Sequence, residues 1–155
     1  MKLIKDIDFG GERPLFGSSD IRLENVTIHE GESAIKCCRN VEAVDCRFEG
    51  KYPFWHTDGF RIDRCVFTPG ARAALWYSRG LVMTDTQIDA PKMFREMHDV
   101  ALERVRIPDA QETMWHCSDI RMRDVEVDNA DYIFMHCERI RIDGYRQNGN
   151  YSFQY

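Results

Sequence analysis

The sequence predicts an all-β fold: a right-handed parallel β-helix with three short strands per coil and about 20 residues per coil. Three observations carry this. An eight-residue phrase recurs along most of the chain at intervals of 19 to 21 residues. Within each copy the apolar residues follow period two, not the 3.6 of a helix. Leucine is confined to Leu3, Leu15, Leu23, Leu75, Leu81 and Leu102, while Cys, Met, Phe and Ile carry much of the apolar load, which disfavours a helical protein.

The copies begin at Ile21, Val41, Phe60, Leu81, Val100, Ile120 and, more weakly, Ile140. These residues are the anchors of the repeat. Apolar side chains mark the first, third, sixth and eighth positions, as in Ile21, Leu23, Val26 and Ile28. Two pairs of period two separated by one skipped residue make two short strands with a bend between them. A turn-former stands before most anchors, as Asn40, Gly59, Gly80, Asp99 or Asp119. A third apolar stripe lies six residues before each anchor and holds Leu15, Ile35, Phe54, Leu75, Phe94, Met114 and Phe134. Coils of this kind stack about 4.8 Å apart and hydrogen-bond to their neighbours. Leucine-rich repeats need more leucine. The apolar spacing breaks a six-residue period, and counting fives from Ile21 through Val26 reaches Gly31 and Lys36, so a pentapeptide period also fails. The right hand is the general preference of parallel crossovers.

The 155 residues suit one domain, read as a cap and partial coil at 1–20 and repeats over 21–155. Twenty-one Lys and Arg stand against 26 Asp and Glu, a formal charge of −5, which argues against nucleic acid and membrane partners. No apolar run is long enough to span a bilayer, and Met1–Gly10 has no apolar core of a secretion signal, so a cytoplasmic protein is expected. The last residues, Asn148–Tyr155, resemble a third strand without a closing turn. Three readings stay open: Phe153 and Tyr155 close the end, the end pairs with a second subunit, or the chain is part of a longer protein.

Columns through the stack carry the chemistry. Cys46 and Cys65 share one column, and Cys38, Cys117 and Cys137 another; with Cys37 these are all the cysteines. No Cys-x-x-Cys pair occurs, so they are expected to be small, reduced, inward fillers. The bend column reads Asn25, Asp45, Arg64, Asp85, Arg104, Asp124 and Gly144, an alternation that predicts a ladder of surface ion pairs.

Two adjacent columns are the candidate site. Five before the anchor stand Phe16, Lys36, Trp55, Trp76, Arg95, Trp115 and Met135. Four before stand Gly17, Cys37, His56, Tyr77, Glu96, His116 and His136. With the first column outward, Trp55, Trp76, Tyr77, Arg95 and Trp115 form a ligand or partner surface, suited to stacking on sugar rings or to an interface. With a bend in this strand, the tryptophans become core, and His56, Glu96, His116 and His136 form a polar edge. Glu96, His116 and His136 in consecutive coils are then candidates for general acid–base work or for a metal, with Asp58 close to His56. No cofactor and no resident metal is assigned.

The phrases Cys38-Arg-Asn-Val-Glu-Ala-Val-Asp-Cys46, Phe54-Trp-His-Thr-Asp-Gly-Phe60 and Trp76-Tyr-Ser78 resemble an uncharacterised bacterial domain-of-unknown-function family with a single-stranded right-handed β-helix of the pectin-lyase-like type. The resemblance covers roughly 15–155 and implies the fold, with longer members. The wider fold includes pectate lyases and polygalacturonases, but the clustered aspartates implied by those enzymes have no counterpart here. The expected role is a non-catalytic scaffold or interaction protein that self-associates end to end or through a face. The alternative is a carbohydrate-binding or polysaccharide-active protein using the Trp/His face.

Overall fold

The computed structural model describes residues 1–155 and is a right-handed parallel β-solenoid of about seven turns. Its strands are β1 (Lys2–Lys5), β2 (Asp8–Phe9), β3 (Ser19–Glu24), β4 (Thr27–Ile28), β5 (Arg39–Val44), β6 (Arg47–Phe48), β7 (Asp58–Asp63) and β8 (Val66–Phe67), then β9 (Arg79–Ile88), β10 (His98–Ile107), β11 (Ser118–Val127) and β12 (Glu138–Gln147). Every pairing is parallel and joins one coil to the next. The anchors stack as the repeat predicts, Ile21 on Val41, Val41 on Phe60 and so on to Ile120 on Ile140. Lys2 lies opposite Ile21 and Asp8 opposite Thr27, so residues 2–20 make a first coil in register with the rest, where the sequence suggested a cap and a partial one.

The bends are backbone features. Asn25, Asp45, Arg64, Asp85, Arg104 and Asp124 have φ of 50–54°, and Asp20, Asn40, Asp99, Asp119 and Arg139, just before the anchors, have φ of 52–60°. Asn and Asp tolerate this left-handed region best, which is why they fill so many of these places. In β9 to β12 the strand pairing continues through the bend, whereas the earlier coils break there. The third strand-like piece is held by single bridges, such as Trp76 opposite Arg95 and Arg95 opposite Trp115, and not by a regular strand. Its left-handed residues, Phe94 and Glu96 for example, alternate with extended ones and prevent a continuous pleat.

The core is one cluster running the length of the solenoid. All seven residues of the third stripe, Leu15 through Phe134, are buried. Phe48, Phe54 and Phe67 pack ring on ring across two coils. One corner, ten residues before each anchor, accepts only Gly11, Gly31, Gly50, Ala71, Ala90, Ala110 and Ala130, with Gly149 continuing the row. The backbones meet there: a Cβ on Gly31 would stand 1.9 Å from the carbonyl oxygen of Gly11.

Candidate functional site

The third piece of each coil places the candidate residues. The stripe six before the anchor points inward, and left-handed residues flank the next position, so both adjacent columns fall outside. Neither simple alternation holds, because a left-handed residue reverses the direction in which the following side chain leaves the coil.

The tryptophan column is half-buried and lies flat along the surface. Trp55 and Trp76 stack with centroids 5.0 Å apart and planes 10° from parallel. The Arg95 guanidinium sits 4.4 Å from the centre of Trp76 and 4.6 Å from that of Trp115. Lys36 approaches the Trp55 ring at 5.9 Å, and Met135 follows Trp115 in the bridge ladder. Each indole N–H donates to a corner carbonyl of the next coil: Trp55 to Ala73 at 2.6 Å, Trp76 to Lys92 at 2.7 Å, and Trp115 to Tyr132. The column is thus a spine that ties coil to coil. Its ring faces are turned to one another along the solenoid axis, which leaves indole edges toward solvent.

Every residue of the histidine column is exposed. His56 stacks on Tyr77 at 5.1 Å, His116 on His136 at 4.7 Å with planes 2° apart, and His136 on Tyr155 at 4.7 Å. Face-to-face rings present their nitrogens side by side rather than converging on a point. No group of three or more His, Cys, Asp and Glu side chains is disposed to hold a metal ion. Glu96 follows Tyr77 in the column but makes no hydrogen bond to His116, and Asp58 lines a different groove with Arg39, Gly59 and Arg61. That groove, about 470 Å³, is open, and Gly59 and Gly80 are among the residues that line it. A second open groove of about 310 Å³ runs past His98, His116, His136 and Glu138, where His98 Nδ1 and Ser118 Oγ are 2.6 Å apart.

The cysteines are free; Cys38, Cys46, Cys65 and Cys117 are buried and Cys137 half-buried, while Cys37, expected to point inward with the others, is exposed because it lies in the outward histidine column. Sequence reasoning missed their hydrogen-bonding task. The Cys38, Cys46, Cys65, Cys117 and Cys137 thiols each reach the carbonyl two residues earlier, and the hydroxyls of Thr57, Ser78 and Thr86 do the same. Each follows a left-handed residue and adds a second donor to a carbonyl that also accepts a backbone N–H from the preceding coil, as Lys36 does from Gly17 and Trp115 from Glu96. The mixing of Cys, Ser and Thr in one column was the available signal. Hydrogen bonding with Cys46, together with burial, pushes the Cys65 thiol up; burial, with the neighbouring Cys137, does the same for Cys117.

The bend column pairs one way only. Arg64 reaches back to Asp45 at 2.9 Å, Arg104 to Asp85 at 2.6 Å, and Asn25 to Asp6 at 2.8 Å. The expected continuous ladder is therefore a set of separate couples. A second such column, unread in the sequence, stands just before the anchors, with Asn40 on Asp20 and Arg139 on Asp119 at 2.7 Å each.

Residues 2–155 match the family model DUF3737, described as a protein of unknown function, and the chain belongs to that family. No functionally curated protein matches it. Among solved structures it is similar to QnrB1, a plasmid-mediated fluoroquinolone resistance protein, at 9% identity over 93% of this chain and 92% of that one, with a TM-score of 0.20. That score is too low to carry any argument about fold or role.

Proposed function

We propose that this member of DUF3737 is a non-catalytic interaction scaffold that self-associates. The supporting observation is the repeated outward face, in which Trp55, Trp76, Arg95 and Trp115 run through consecutive coils beside the stacked His116 and His136. Aromatic residues and Arg are favoured where one protein surface meets another. The surface grooves are open, which suits contact with a large surface better than enclosure of a small molecule. No helix is long and apolar enough to cross a membrane. The free state of all six thiols supports a reducing, cytoplasmic setting.

Light scattering over a concentration series tests the reading. A mass that rises with concentration is expected; a strictly monomeric species at every concentration counts against it. The carbohydrate reading is the weaker one, because stacking on a sugar needs a free ring face and the indole faces are turned toward Lys36, Arg95, one another and the next coil. Glycan-array binding abolished by Trp55→Ala or Trp115→Ala in a folded protein would reverse that order.

A further inference from the structure

We propose that two copies of this chain dock side by side and parallel, through the histidine column and the column two before the anchors, about a two-fold axis that runs along the solenoid. This rests on the self-association reading above and names the faces and the register. The second column holds Arg39, Asp58, Arg79, His98 and Ser118. The two columns border one open groove, which His98 and Ser118 line together with His116. The first observation is the direction of the rings. His56 stacks on Tyr77 at 5.1 Å with planes 13° apart, and His116 on His136 at 4.7 Å with planes 2° apart. These separations match the spacing of hydrogen-bonded coils, about 4.8 Å. Each ring therefore lies close to the plane of its own coil, and its polar edge points sideways, away from the solenoid. Such an edge meets a group at its own height. The second observation is that the charges here are unpaired. In the bend column Arg64 holds Asp45 and Arg104 holds Asp85, whereas the exposed Arg39, Asp58, Arg79 and Glu96 make no ion pair within the chain.

A two-fold axis along the solenoid keeps every coil at its own height and exchanges the two columns. Each residue four before an anchor then meets the residue two before the same anchor in the other copy. The contacts are His56 with Asp58, Tyr77 with Arg79, Glu96 with His98 and His116 with Ser118. None opposes like charges, and symmetry makes each of them twice. A slide of one coil destroys the match, setting His56 against Arg79 and His98 against His116. The same axis brings the tryptophan column over the column just before the anchors. Trp55 comes over Gly59 and Trp76 over Gly80. Nothing within the chain requires glycine at 59. Asn40 and Asp99 hold the same left-handed place with side chains, at φ of 52° and 60°, and a Cβ on Gly59 would meet nothing within 4 Å. An indole edge from the second copy accounts for the missing side chain. The contact is isologous and closes at two copies.

Sedimentation velocity and cross-linking on the chain Met1–Tyr155 test this. A mass that rises with concentration and levels at two copies is expected. A short bismaleimide should join the exposed Cys37 to Cys37 of the second copy, because both lie at one height on either side of the axis, and Cys37→Ser should abolish the link. Glu96→Lys sets a cation against His98, and Gly59→Asn puts a side chain under the Trp55 edge; each should weaken the dimer about tenfold. Both positions are exposed, and circular dichroism verifies that each variant keeps its fold. The exchange of Glu96→His with His98→Glu in one chain restores the unlike pair and should recover the dimer. Association indifferent to both single substitutions, a missing cross-link, or growth past two copies would overturn this face and register and leave the self-association reading standing. A strictly monomeric chain would overturn both.

Discussion

Arg95 holds its guanidinium 4.4 Å from the ring centre of Trp76, one coil away, and its other face lies 4.6 Å from Trp115. Arg95 Nε is buried without a hydrogen-bond partner, so the two indole faces supply what compensates the cation there. Arg95→Ala should cost about 1–2 kcal/mol, and Arg95→Met should recover the packing part of that loss but not the cation–π part. Urea denaturation of the three proteins, read at matched slope, measures the split. Equal stability of Arg95→Met and wild type would remove the charge from this account.

The thiols sort by exposure and by slot. In the native protein only Cys37 should react quickly with a disulfide reagent, with Cys137 next and the four buried thiols following unfolding. Cys46→Val should cost less than about 1.5 kcal/mol, because Val26, Val105 and Val125 already fill the same place in other coils. Rapid labelling of more than one thiol in the native state, or unfolding of Cys46→Val, would contradict this packing.

His29 binds two carboxylates, Asp8 at 3.0 Å and Glu49 at 2.7 Å, and the hydrogen bond to Asp8, then that to Glu49, raises its pKa above the ordinary value. A raised folded value means that the stabilisation is complete below the unfolded pKa of about 6.5 and is lost as pH rises through the folded one. The site is exposed, so the effect on stability should be small and should shrink with salt. An NMR titration of the His29 ring should give a midpoint above that of an unfolded peptide, and His29→Gln should flatten the corresponding pH dependence of stability.

The small-residue corner predicts a steric penalty far from any catalytic chemistry. Gly31→Ala sets a Cβ 1.9 Å from the Gly11 carbonyl oxygen, a backbone atom that cannot rotate away. It should loosen the first coil and lower stability by about 1–3 kcal/mol. Faster amide exchange confined to residues 2–20 in that variant would locate the damage; unchanged exchange there would refute the close approach.

The recurring phrase made the coil legible because its inward places are fixed by period two and must be apolar in every turn. The third stripe from Leu15 to Phe134 and the cysteine columns were readable for the same reason. The first coil was hard to read because Lys2 stands where other coils carry a large apolar anchor. The corner of Gly11, Gly31, Gly50 and the alanines was present in the sequence but passes unnoticed, since small residues give no hydropathy signal.

The sequence by itself determined the period, the parallel stack and which residues share a column, because each coil repeats the same inward slots. Only the tertiary structure decided what the outward columns do. Left-handed residues on both sides of the tryptophan column turn two successive side chains outward, which alternation along a strand does not foresee. The indoles then lie along the axis because their N–H groups find corner carbonyls one coil away, and the guanidinium of Arg95 fits between them. Those partners are some twenty residues distant in the chain and become neighbours only when the coils stack.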